Sequence, residues 1–127
     1  MLAAWTVAAP VPAAAELRPL VREMLENLPS LDEIGAGVSV GDFERVERAA
    51  ADLDARAGTL ADFDVTRLGV AARRGPAFKA YLLEQQQAAR AITQAAKGQD
   101  GALVFRSMQG LLNRACVACH EQLRGED

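Results

Sequence analysis

The chain has 127 residues, half of them hydrophobic, only 5% aromatic and 24% charged, with a formal net charge of −3 at neutral pH. That length makes one domain with one modest core, and abundant alanine beside few β-branched and aromatic residues favours packed helices over a sheet. The mild acidity, with both signs intermixed, excludes the basic surface of a nucleic-acid binder.

Residues 1–15 stand apart: Leu2 to Ala15 carry no charge and end Ala13-Ala14-Ala15 before Glu16. They read as a signal-peptide remnant or a disordered extension, too short to cross a bilayer as a helix. Residues 16–127 form the domain. A stripe of Leu17, Leu20, Val21, Met24, Leu28 and Leu31 predicts a first helix that kinks or restarts at Pro29, where Ser30 and Glu33 have capping-box spacing. Asp42 predicts the N-cap of a second helix whose stripe carries Phe43, Val46, Ala50, Leu53 and Ala57 and can extend to Leu60, with Gly58 suggesting its end. From Thr59 to Arg74 the pattern loosens, with room for one short turn over 65–72. Gly75-Pro76 opens a third helix bearing Phe78, Tyr81, Leu82, Gln85, Ala89, Ile92 and Ala96, which stops at Lys97-Gly98. Asp100 caps a fourth, with Val104, Met108, Leu111, Leu112, Ala115 and Cys119 on its stripe. Four such helices most economically build an all-α, antiparallel four-helix bundle, in which cofactors sit between facing helices.

The last turns of the fourth helix carry the chemistry. Cys116-Val117-Ala118-Cys119-His120 spells C-x-x-C-H and contains both cysteines and the only histidine of the chain. Covalent attachment of haem c needs two thiols to add across the porphyrin vinyl groups and an adjacent imidazole for the iron. On a helix the three positions are i, i+3 and i+4, so they share one face. Other readings fit less well. A thioredoxin-type C-x-x-C opens a helix instead of closing one, structural zinc lacks a fourth thiol or imidazole, and a Cys116–Cys119 disulfide would close a very short loop and leave His120 unexplained. Attachment of haem to thiols takes place outside the cytoplasm, so the motif itself points to export to a bacterial periplasm.

With the motif at the end of the last helix, the run Cys-Val-Ala-Cys-His-Glu-Gln-Leu-Arg, the helix from Phe78 to Ala96 and the Gly-Asp start of helix two, the chain resembles the class II c-type cytochromes. This is the cytochrome c prime superfamily, and the resemblance covers about residues 17–124. It implies one covalent haem near the C-terminal helix, with Cys116 and Cys119 as its thioethers and His120 as the proximal iron ligand. It also implies a distal residue from the first helix, for which Met24 is the candidate. Arg124, four residues after His120, matches a basic position that can contact a propionate; it equally suits a solvated helix C-terminus.

With Met24 bound, the resemblance implies the low-spin, methionine-ligated branch and an electron carrier serving redox partner proteins. With Met24 packed beside an open axial position, it implies binding of nitric oxide or carbon monoxide. It also allows a homodimer through the first two helices. A haem-free helical interaction module with a disulfide is the third reading. No enzyme is expected, and no catalytic residue: there is no second histidine to act as a base, no Gly-rich phosphate loop, and the carboxylates are spread over helix surfaces.

Overall fold

The computed structural model describes residues 19–124, with side chains to Leu123. Its elements are α1 (Pro19–Leu25), α2 (Leu28–Val40), α3 (Phe43–Ala61), α4 (Gly75–Lys97), α5 (Gly101–Leu111), a π-helical segment (Leu112–Val117) and α6 (Ala118–Arg124). Two 3₁₀ turns, Val65–Leu68 and Ala72–Arg74, lie in the connection between α3 and α4. The described residues contain no strand, and none of their helices is long and apolar enough to cross a membrane. The readings of residues 1–15, of Leu17 and of the Arg124 side chain lie outside the described residues.

The elements form a helical bundle of four arms: α1 with α2, α3, α4, and α5 with its π and α6 continuation. Their pairings run in opposite directions. Glu26 meets Arg56 while Glu33 meets Arg45, Asp54 meets Arg90 while Gly58 approaches Gln86, and Glu84 meets Arg114 while Tyr81 meets Gln122. Short caps make these reversals possible. Gly41 takes a left-handed φ of 75° at the end of α2, and Asp42 N–H donates back to the Gly37 carbonyl at 2.8 Å, a C-terminal closure that disfavours a β-carbon. Asp42 and Asp100 then accept from the backbone N–H groups of Arg45 and Leu103, at 3.1 and 3.0 Å, satisfying donors that have no partner within the helix.

Two elements depart from the sequence reading. The first arm breaks at Glu26–Asn27 and restarts with Pro29 in its first turn, as the sequence reading has it, but Ser30 is buried inside α2. Proline lacks an N–H, and the first turn of a helix needs none there, so Pro29 lies just inside the restart and Ser30 caps nothing. α3 also continues through Gly58 to Ala61. A β-carbon at Gly58 would lie 2.9 Å from Gln86 Nε2, so this glycine lies inside α3 where it faces α4 and is no stop signal. Ala49, Ala50 and Ala57 on α3 and Ala88, Ala89, Ala95 and Ala96 on α4 are buried in the core.

Candidate functional site

Close packing leaves few voids larger than a water molecule in a protein interior, yet one end of this bundle holds a cavity of about 240 Å³. Three arms build it. The broken first arm supplies Met24, Asn27, Leu28 and Leu31; α4 supplies Phe78, Tyr81, Leu82 and Gln85; the last arm supplies Leu112, Ala115, Cys116, Cys119 and His120. The walls are mainly apolar. Leu28 and His120, both exposed, open it toward solvent, which leaves room for a group larger than the enclosed volume.

The structure thus brings together four of the residues singled out in the sequence: Met24, Cys116, Cys119 and His120. Met24 and Cys119 also pack, partly buried, against the same hydrophobic cluster. Met108 packs instead against the opposite cluster and does not line the cavity. Asn27, Tyr81 and Gln85 join the site as its polar members. Tyr81 and Gln85 fall on the predicted stripe of α4, whereas Asn27 carries no signal beyond its place before Leu28-Pro29, where an asparagine reads as a helix cap.

The π segment is the local feature that no periodicity predicted. The segment follows Leu111, which is buried in the dense core, and the residues of this arm that line the cavity are Leu112, Ala115, Cys116, Cys119 and His120. π turns inside α-helices are frequent at functional sites. Side chains of α4 and of the 3₁₀ turn before it then hold the last arm in place: the Tyr81 hydroxyl donates to Gln122 Oε1 at 2.6 Å, and Arg74 Nη1 donates to the Leu123 carbonyl at 2.6 Å.

Cys116 and Cys119 are free and partly buried. Burial pushes the Cys116 thiol up, and burial together with the neighbouring Cys116 pushes Cys119 from 9.0 to about 11, because a low-polarity setting disfavours the thiolate. Both are therefore neutral thiols at physiological pH. No group of three histidine, cysteine or acidic side chains among the described residues is arranged to hold one metal ion. Cys116, Cys119 and His120 share one wall of the cavity.

Two polar groups in the cavity are treated differently. Gln85 Nε2 donates to the Leu53 carbonyl at 3.1 Å, within the interior. Asn27 is 8% exposed, and its Oδ1 is buried without a partner. Its backbone is helical (φ −76°, ψ −24°), and its side chain caps nothing. An orphaned buried acceptor of this kind costs about 1–3 kcal/mol.

A larger groove, of about 480 Å³, runs between α1 and α3 beside Glu23, Asp52, Arg56 and Thr59. It contains no thiol, thioether or imidazole, so the smaller cavity is the candidate site. No family model matches this chain, and no curated protein or solved structure matches it.

Proposed function

We propose that this protein is a mono-haem c-type cytochrome that carries single electrons between redox partner proteins in a bacterial periplasm. The observation that carries the proposal is the shared cavity, with Cys116, Cys119 and His120 on one wall and Met24 on the broken first arm. Cys116 and Cys119 would hold the haem covalently, His120 would be the proximal ligand, and Met24 the distal one. Once bound, haem iron supplies one-electron redox chemistry. The residues supply the rest. A thioether at the distal position favours the reduced state and raises the potential, while Leu31, Phe78, Leu82 and Ala115 keep water from the interior side.

Capture of nitric oxide or carbon monoxide is the second reading. It is favoured by one observation: Met24 is only partly buried and stands on α1, a helix of 7 residues with no buried member. A thioether held so loosely could leave the distal position open to small uncharged gases.

Absorption spectra separate these readings, taken oxidised and reduced, with and without carbon monoxide, on protein exported alongside haem-attachment machinery. An electron carrier gives a far-red methionine-to-iron band that disappears in Met24→Ala, and no response to carbon monoxide in the parent. A parent spectrum that is high-spin and shifts with carbon monoxide assigns gas binding and removes Met24 as a ligand. Colourless protein overturns both and leaves a disulfide-bearing helical module.

A further inference from the structure

We infer that Asn27 is the polar, ligand-discriminating residue on the distal side of the cavity, favouring small hydrogen-bonding ligands over apolar ones whenever Met24 does not occupy the iron. This inference rests on the haem reading proposed above and adds a residue that the motif does not supply.

The case begins with what Asn27 fails to do. It occupies the N-cap position of α2, where an asparagine side chain normally accepts from a backbone N–H of the first turn. Here that bond is absent, since the backbone of Asn27 is helical and not extended. The side chain is withdrawn from solvent, with 8% of the residue exposed, and Oδ1 has no partner. Buried polar groups without partners are rare in folded proteins and call for an explanation, an absent ligand or water among the usual ones. Asn27 is also a lining residue of the cavity that holds Met24, Cys116, Cys119 and His120, three residues after Met24, to whose carbonyl its own N–H donates at 3.1 Å.

Gln85 makes the contrast. It lines the same cavity, but its Nε2 is committed to the Leu53 carbonyl, so its role in joining α4 to α3 is already filled. Asn27 Oδ1 has no such engagement. A carboxamide presents an acceptor or, after a half-turn, a donor, and in a pocket with otherwise apolar walls one such group discriminates strongly between ligands that exchange hydrogen bonds and ligands that do not.

The test uses full-length holoprotein carrying Met24→Ala, so that the distal position accepts added ligands, with Asn27 retained or changed to leucine of similar shape. Two probes are read: the C–O stretch of carbon monoxide on the reduced protein, and binding of fluoride, a pure acceptor, to the oxidised protein. With Asn27→Leu the stretch moves to higher wavenumber and fluoride binds roughly two- to tenfold more weakly, the equivalent of one ordinary hydrogen bond. A merely structural asparagine would shift neither. Unchanged stretch and fluoride affinity overturn the assignment while leaving the haem reading intact. Failure of the parent to acquire covalent pigment overturns the haem reading and this inference with it. If Asn27→Leu does not accumulate, Asn27→Ala is read in the same two measurements. The haem-free Asn27→Leu protein is itself expected to be at least as stable as the parent, because an unpaired buried amide is replaced by an apolar group.

Discussion

The two ends of the bundle are built from similar residues and serve opposite purposes. At one end Ile34, Val46, Ile92 and Val104 are wholly buried, and Leu53 and Leu111 nearly so, with alanines filling the gaps between α3 and α4. At the other, Leu60, Val65, Leu68, Phe78 and Leu82 form a second cluster that is sealed only in part, by Leu20, Met24, Cys119 and Leu123. The cavity opens where this second cluster, through Met24, Phe78, Leu82 and Cys119, meets Leu31 and Ala115 of the first. A chain poor in aromatic residues concentrates dense packing where nothing else is needed, and leaves the other end underfilled beside its two thiols. A flat apolar group held there would complete the core as well as give the protein its chemistry.

The sharpest break between the ends comes from the thiols. Changing Cys116 and Cys119 together to serine is expected to abolish covalent pigment altogether, read as loss of haem absorbance in denatured protein after organic extraction, while the circular dichroism of the polypeptide stays helical. Retained covalent pigment would refute the attachment site. The next contrast is energetic. Ile92→Ala removes a fully buried side chain from the dense end and is expected to lower stability by about 2–5 kcal/mol in urea unfolding. Met24→Ala, at the partly open end, is expected to cost the haem-free protein roughly 1 kcal/mol or less. Equal costs would show that the two ends are packed alike.

Much of this contrast was legible in the sequence. The 3.6-residue stripes on α3, α4 and α5 put Val46, Leu53, Ile92 and Val104 inside, and C-x-x-C-H marked one wall of the cavity. Pro29 marked the restart of the first arm, but the capping-box spacing of Ser30 and Glu33 misplaced its cap, because proline belongs inside the first turn of a helix and the cap falls before it, at Asn27. Periodicity could not show the π segment, since one extra residue in a turn leaves composition and spacing unchanged on either side. Asn27 was hidden for a third reason: its role lies in a hydrogen bond it does not make, and only burial reveals that.

Close approach at the dense end yields a smaller effect. A β-carbon on Gly37 would lie 2.8 Å from Val46 Cγ2 and 2.9 Å from the Asp42 carbonyl oxygen, and the backbone oxygen cannot rotate away. Gly37→Ala is therefore expected to destabilise by about 1–3 kcal/mol through overpacking, despite the higher helix propensity of alanine. Gly35, on the same helix with open space around it, is the control: Gly35→Ala should be neutral or stabilising. The pair separates contact from propensity in one thermal-unfolding experiment.

The smallest effect belongs to the open end and to alkaline pH. The folded Cys119 thiol titrates at about 11, raised from 9.0 by burial and by Cys116, so the folded haem-free protein holds that proton more tightly than the unfolded chain does. Stability from this source is complete below about 9 and declines as pH rises toward about 11. Partial exposure of the site keeps the change modest, since solvent screens a thiolate formed there. Urea midpoints of the haem-free protein should therefore fall across that interval, and Cys119→Ser should flatten the decline. Alkylation of Cys119 in the folded parent by iodoacetamide, read by peptide mapping, should also be slow at neutral pH and accelerate over the same range, because the thiolate is the reacting form. Fast alkylation at neutral pH would mean that the thiol wall stands open to solvent, and the distinction between a sealed end and a receptive end would then lie in packing density alone.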